Sequence, residues 1–350
     1  MVQRKNLRGL VFLGLYLFIP STLEPVFGQE PFYKGKTISI VVGTKAGDVY
    51  DLYARLMAQH LVTQIPGNPN IIVQNMPGAA ALIAANYVYN VAKPDGLTIG
   101  AIYPALYFDQ LIGRTEVKFD WNKFGWLGSP VTSNHLLYMR ADSPYKTMDD
   151  VRKASEPPKC GATGTTSTAY YVPHLMQEVL GTKFNIVMGY QAGQDIDLAV
   201  ERGEVVCRAF TITAFLAREP FHTWRKTGFV RALIQTGRKR DPKLPDVPTI
   251  YELMDQYKTA EGSRRLVTLV LAAGALGRPL VGTPGIPSDR VRTLREAFAK
   301  TLKDPEFLDE INKRKYELEP VGGEELEALA KEVMAQPPDV IERMRKLLGK

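Results

Sequence analysis

At 350 residues the chain is long enough for two domains with hydrophobic cores, and its 45% hydrophobic content places it with folded globular proteins rather than disordered ones. Its formal charge of +7 is spread through runs such as Arg238-Lys239-Arg240, Arg264-Arg265 and Lys313-Arg314-Lys315, which are interspersed with acids. No basic stripe with interleaved aromatics is present, so nucleic-acid binding is excluded from the expected partners. The modest positive excess suits encounter with anionic ligands.

The chain opens with Arg4, Lys5 and Arg8, followed by the apolar run Leu10–Pro20 and small residues up to Val26-Phe27-Gly28. This is the pattern of a secretory signal peptide over residues 1–28, with cleavage expected after Gly28. The run is shorter than the roughly 20 apolar residues that span a bilayer. An exported, soluble chain is therefore expected.

One plan then recurs three times: a β-rich run, a loop of small residues and an amphipathic helix. Thr37–Val42 leads through Gly43-Thr44-Lys45-Ala46-Gly47-Asp48 into a helix over Tyr50–Leu61. Asn70–Gln74 leads through Asn75–Ala79 into a helix through Ile83, Tyr87 and Val91. After the turn Lys93–Gly96, Leu97–Ile102 reads as a strand running into Tyr103, and Leu136–Met139 as another. The third repeat begins at Cys160, where Gly161–Thr168 holds two glycines and five hydroxyl residues before a helix marked by Tyr171, Leu175 and Val179. Alternation of this kind predicts α/β architecture, with a parallel sheet and ligands outside the carboxyl ends of its strands.

Further along, Phe184–Val187 and Val205–Phe210 read as strands flanking a helix over Asp195–Arg202, and Val230–Gln235 as a strand. Three prolines keep Asp241–Pro248 irregular. Arg290–Thr301 is a predicted helix with Ser288 or Asp289 as its N-cap, and charged helices follow over Glu324–Met334 and Asp339–Leu348.

No catalytic group stands out. His60, His135, His174 and His222 are isolated, without metal-ligand spacing, and no nucleophile elbow or nucleotide fingerprint occurs. No metal or cofactor is expected, and the chain is read as not being an enzyme. The two cysteines, Cys160 and Cys207, are either a disulfide, as an oxidising compartment favours, or two buried thiols. In a doubly wound order their strands are neighbours, which favours the disulfide.

The markers Asp51-Leu-Tyr-Ala-Arg55, Asn75-Met-Pro-Gly-Ala79, Pro94-Asp-Gly96, Gly189-Tyr-Gln-Ala-Gly193, Leu244-Pro-Asp-Val-Pro-Thr249, Thr283-Pro-Gly285 and Glu319-Pro-Val-Gly322 occur in order over most of the chain. Together they resemble the extracytoplasmic receptors of tripartite tricarboxylate transporters, the Bug family. The resemblance implies a periplasmic binding protein-like fold, two doubly wound α/β domains with a ligand cleft between them. It places one domain at 29–131 with 259–350 and the other at 132–258. The chain then crosses near Ser129–Asn134 and again near Lys258–Leu266.

It also implies a monomer that captures a small organic carboxylate, such as a di- or tricarboxylate, an amino acid or an aromatic acid, by domain closure. The partners are then membrane permease subunits of a tripartite transporter, or alternatively a sensor protein. Under this reading the second domain offers Thr163, Gly164, Thr165, Thr166, Ser167 and Thr168 as donors at a helix N-terminus. Its Tyr190, Gln191, Phe210 and Thr211 lie beside them. The first domain offers Gly43, Thr44, Lys45, Tyr50, Asp51, Gly78, Ala79 and Tyr103. Here the family's proline- and glycine-rich run is replaced by Thr-Lys-Ala-Gly-Asp-Val-Tyr. Lys45 either meets a ligand carboxylate or points to solvent. Asp51 either receives a ligand group or is a first-turn acid favoured by the helix dipole. The tyrosines either surround an aromatic or extended acid or pack between domains.

Overall fold

A computed structural model describes Met1 and residues 30–163, 167–190 and 193–347. Apart from Met1, the expected leader at 1–28 therefore lies outside the described residues. The predicted repeats form because each apolar run is short, β-rich and closed by small residues. Strand β1 (Thr37–Val42), β2 (Asn70–Asn75) and β3 (Thr98–Ala101) pair in parallel, with β1 in the middle. They are joined by the helices Val49–Gln64 and Leu82–Asn90. β4 (Gly125–Ser129) completes this part of the first sheet, and the chain then leaves it.

The second sheet takes β5 (His135–Arg140), β6 (Lys159–Gly161), β7 (Asn185–Val187), β8 (Cys207–Thr211) and β9 (Val230–Gln235). The chain then returns to the first sheet as β10 (Leu280–Gly282) and β11 (Val321–Gly322). The spatial orders are β11-β4-β10-β3-β1-β2 and β7-β6-β8-β5-β9. Without the edge strand β11, both sheets follow one plan.

The purely parallel sheet expected from the alternation is corrected in one respect. β10 runs antiparallel to both β3 and β4, and β5 runs antiparallel to both β8 and β9. Each of these strands is the first laid down after the chain crosses between sheets. It enters from the opposite side and so points the opposite way.

The crossing segments lie against one another. Ser133 N–H donates to the Gly274 carbonyl, and Arg278 N–H donates to Val131. A Cβ at Gly277 would lie 1.8 Å from the Val131 carbonyl oxygen, and Gly277 has φ +66, so only glycine fits there. Thr132 N–H donates to the Glu319 carbonyl, adding a third segment to the junction. The apolar stretch Leu266–Leu271 belongs to a long helix, Glu261–Leu276, that packs against residues of both sheets. Its Leu269 carbonyl accepts from the Tyr107 hydroxyl, and Thr259 just before it donates to Val179.

Two local expectations are corrected. The helix expected through Ile83, Tyr87 and Val91 exists, but it buries Leu82, Ala85 and Val88 and leaves Ile83 and Val91 exposed. Ser288 does not cap the helix near Arg290. It opens that helix, Ser288–Thr301, and Pro287 is the N-cap, so neither Ser288 nor Asp289 caps it. Among the described residues, no helix is long and apolar enough to cross a membrane.

Candidate functional site

The loops after β1, β2 and β3 emerge at one edge of the first sheet. Gly43 contributes shape more than donors. Its N–H is spent on the Ala101 carbonyl, and a Cβ there would sit 2.3 Å from the Ala81 Cβ. Thr44 is buried, and its hydroxyl has no hydrogen-bond partner among the described residues. Lys45 is exposed, and no described carboxylate pairs with it. Asp48 accepts from Tyr50 N–H and caps the helix that begins at Val49.

Asp51 holds this edge together. It is 1% exposed and accepts from Gly47 N–H at 2.8 Å, from Asn75 Nδ2 at 2.8 Å and from Arg55 Nε at 3.0 Å. Burial works to raise its carboxyl pKa, yet the bonds from Arg55, Gly47 and Asn75 together hold it below the usual carboxylate range. Asn75 also donates to the Thr44 carbonyl. Two loops distant in sequence are thereby pinned together. With both oxygens engaged, Asp51 acts as an anchor of the loop.

The β2 loop carries strained backbone. Gly78 has φ +139, and Ala79 and Ala81 adopt φ of 45 and 69, a left-handed conformation that costs alanine about 1–2 kcal/mol. Gly78 and Ala79 open a short 3-10 turn, Ala79–Ala81, where the first N–H groups lack an intrahelical partner.

Tyr103 follows β3, and its ring lies 4.6 Å from that of Tyr50. Both are half-buried, and burial raises both phenols. Arg278 joins this cluster from far along the chain. Its guanidinium carbon is 5.8 Å from the Tyr50 ring and 4.8 Å from the Tyr53 ring. Its Nε and Nη1 are buried without a hydrogen-bond partner among the described residues. Leaving such donors unmade costs on the order of 1–3 kcal/mol each.

The corresponding edge of the second sheet is built differently. Cys160 and Cys207 are paired residues of the neighbouring strands β6 and β8, and they are disulfide-bonded with Cα atoms 4.5 Å apart. Thr163 follows β6 and is half-buried. Gly164, Thr165 and Thr166 lie outside the described residues, as does Gln191. Ser167 occupies the N-cap position of the helix that opens at Thr168, Thr168–Leu180. Tyr190 packs over Gly161, where an added Cβ would lie 3.3 Å from its ring and 2.5 Å from Ile196. Thr211 ends β8 as the N-cap of the helix Ile212–Ala217.

Phe210 is placed differently from the aromatic surround expected for it. It is buried, with its ring 4.5 Å from Phe221 and 5.7 Å from Tyr138, so it fills the core instead of presenting a face to solvent. Beside it Arg208 pairs with Asp197 and donates to the Gly193 carbonyl, and Tyr138 bonds the same carboxylate. Burial pushes the Asp197 carboxyl up despite Arg208.

Surface depressions of about 810 and 490 Å³ open along the crossings instead, beside Lys243 and Tyr316 and beside Arg238 and Glu319. Neither is lined by the loop residues above. No group of three or more His, Cys, Asp or Glu side chains stands together for a metal among the described residues.

Sequence reasoning missed Arg278, Arg208 and the Asp51–Asn75 link. Asp51 and Asn75 stood inside separate motifs, and only strand adjacency reveals that they meet. Arg278 sits in an unremarked Gly-Arg-Pro turn whose position depends on where β10 inserts.

The model of the tripartite tricarboxylate transporter family receptor matches residues 53–345. The chain belongs to this family. It is thus an extracytoplasmic solute-binding receptor rather than a member of an enzyme family. A Cupriavidus necator protein described as a UPF0065 protein in the gbd 5′ region is 25% identical over 91% of each chain. An Agrobacterium vitis UPF0065 protein from the TAR-I ttuE-ttuC′ intergenic region is 29% identical, covering 72% of this chain and 70% of its own. Among solved structures, a TctC solute-binding protein from Polaromonas without ligand superposes with a TM-score of 0.68 at 20% identity, covering 91% of this chain and 99% of its own. An R. palustris protein with adipate gives 0.51 at 20% identity, over 90% and 97%. These superpositions establish the periplasmic binding protein-like fold.

Proposed function

We propose that this receptor captures a small organic carboxylate in a cleft between its two sheets and delivers it to the membrane subunits of a tripartite transporter. The observation that carries the reading is the strand order shared by both sheets. It sets small-residue loops at the carboxyl ends of β1 and β6, each opening a helix. The adipate bound to the R. palustris neighbour supports a carboxylate as the ligand class.

The lobes we assign are 29–131 with 259–350, and 132–258, with closure about the Val131–Ser133, Gly274–Gly277 and Glu319 junction. Donors come from Thr163 to Thr168 on one wall and from Gly78 and Ala79 on the other. Charge-assisted bonds contribute roughly 1.5–3 kcal/mol each, so three or four reach the about −8 kcal/mol of a micromolar Kd. The chain acts in the periplasm after loss of residues 1–28.

The test is a thermal-shift screen of mono-, di- and tricarboxylates, amino acids and aromatic acids on protein refolded to remove carried-over ligand. The reading predicts a concentration-dependent rise in Tm with at least one acid. Stabilisation only by neutral sugars, or turnover of an added acid, would contradict it.

A further inference from the structure

We propose that Arg278 is the charge partner of the ligand's carboxylate at the edge of the first sheet. The assignment rests on the solute-receptor reading above.

Position comes first. Leu280 opens β10 opposite Ala101, the last residue of β3, so Arg278 lies just beyond the carboxyl end of the sheet. Gly43 is bonded to that same Ala101, and Tyr103 follows it by two residues. The guanidinium thus stands among the β1 and β3 loops although in the chain it follows every strand of the second sheet.

Charge comes second. Other partly buried arginines have partners: Arg208 pairs with Asp197, Arg295 with Glu327 and Arg140 with Asp142, while Arg225, Arg231 and Arg290 donate to the carbonyls of Leu216, Ala141 and Asp95. Arg278 takes part in none of the ion pairs among the described residues. Its surroundings are the rings of Tyr50 and Tyr53, which favour a cation but neutralise nothing. Nε and Nη1 are two donors of a planar fork, without an acceptor, in a side chain that keeps partial solvent access. The Thr44 hydroxyl, also buried and unpartnered, lies on the same edge of the sheet.

Attachment comes third. Arg278 N–H donates both to Ser129 Oγ at 2.9 Å and to the Val131 carbonyl at 3.2 Å, so its backbone is fixed to the crossing segment. A carboxylate held by this side chain is held directly beside the junction of the two lobes. The half-buried pair Tyr50 and Tyr103 then flanks the ligand's carbon skeleton, which favours an extended or aromatic acid.

The experiment uses acetate as a minimal carboxylate on 15N-labelled protein, following the Arg278 Nε–H resonance by NMR. That resonance is assigned by triple-resonance spectra and confirmed by its loss in Arg278→Lys. The proposal predicts a saturable shift with acetate and none with acetamide or sodium chloride. An Nε–H that acetate leaves unmoved, or that chloride moves equally, overturns it. In a second arm, Arg278→Gln weakens acetate binding by about 10- to 100-fold while leaving the far-UV spectrum unchanged. An equal affinity in this folded variant also overturns it. If acetate moves the resonance but no acid raises Tm in the screen, the receptor reading fails and the anion site stands. The reverse result removes Arg278 and leaves the receptor.

Discussion

The two sheets follow the same strand order and yet present different chemistry at corresponding edges. After β1 the first lobe offers an anchored loop, with Asp51 tying Gly47, Arg55 and Asn75 together, beside two tyrosines and Arg278, which pairs with no acid among the described residues. After β6 the second lobe offers hydroxyl residues at a helix start, and its own arginine, Arg208, is neutralised by Asp197. The loops are held by different means: a polar network in the first lobe, a disulfide between β6 and β8 in the second. Under the proposed function these differences divide the work, with charge and aromatic surface assigned to the first wall and neutral donors to the second.

The comparison can be broken most severely at the disulfide. Replacing Cys160 and Cys207 with alanine opens a loop of 47 residues, and the chain-entropy account predicts a loss of about 4 kcal/mol. Denaturant unfolding of the double variant checks the value. The second-lobe signal is expected to weaken first, while the Asp51 network persists.

The next effect is pH dependence at His135, on the antiparallel strand of the second sheet. Burial pushes its imidazole from 6.5 down to about 4. Because the folded state disfavours the charged form, stability is fully present above pH 6.5 and is lost as pH falls towards 4. The loss reaches roughly 3 kcal/mol near pH 4. Unfolding midpoints measured from pH 7 to 4 check this, and His135→Gln is expected to flatten the slope over that window.

The smallest change sharpens the first wall. Asp51→Asn keeps the shape but gives up the charge-assisted bonds to Arg55 and Gly47, for an expected loss of about 1–3 kcal/mol. Its carboxyl pKa is lowered, so the stability it contributes is present above the usual carboxylate value and is lost as pH falls below it. Hydrogen exchange should quicken in the β1 and β2 loops and stay unchanged around Cys160.

Much of this was legible in sequence where structure is local. The β1, β2 and β6 units announce themselves by a β-rich run, a small-residue loop and a helix. What escaped depends on crossings. Nothing in the residues of β5 or β10 states that they insert antiparallel, since that follows from the lobe the chain has just left. Arg278 was hidden for the same reason, being far from Tyr50 in sequence and beside it in space. Phe210 misled because alternation along β8 sends its side chain into the aromatic core with Tyr138 and Phe221, while only its backbone nears the edge.

The most direct test is calorimetric titration of refolded, ligand-free protein with acid and amide pairs of the same carbon skeleton. The account predicts that at least one acid binds with a micromolar Kd and that its amide binds at least tenfold more weakly. Equal binding of acid and amide, or no binding by any acid, would contradict it.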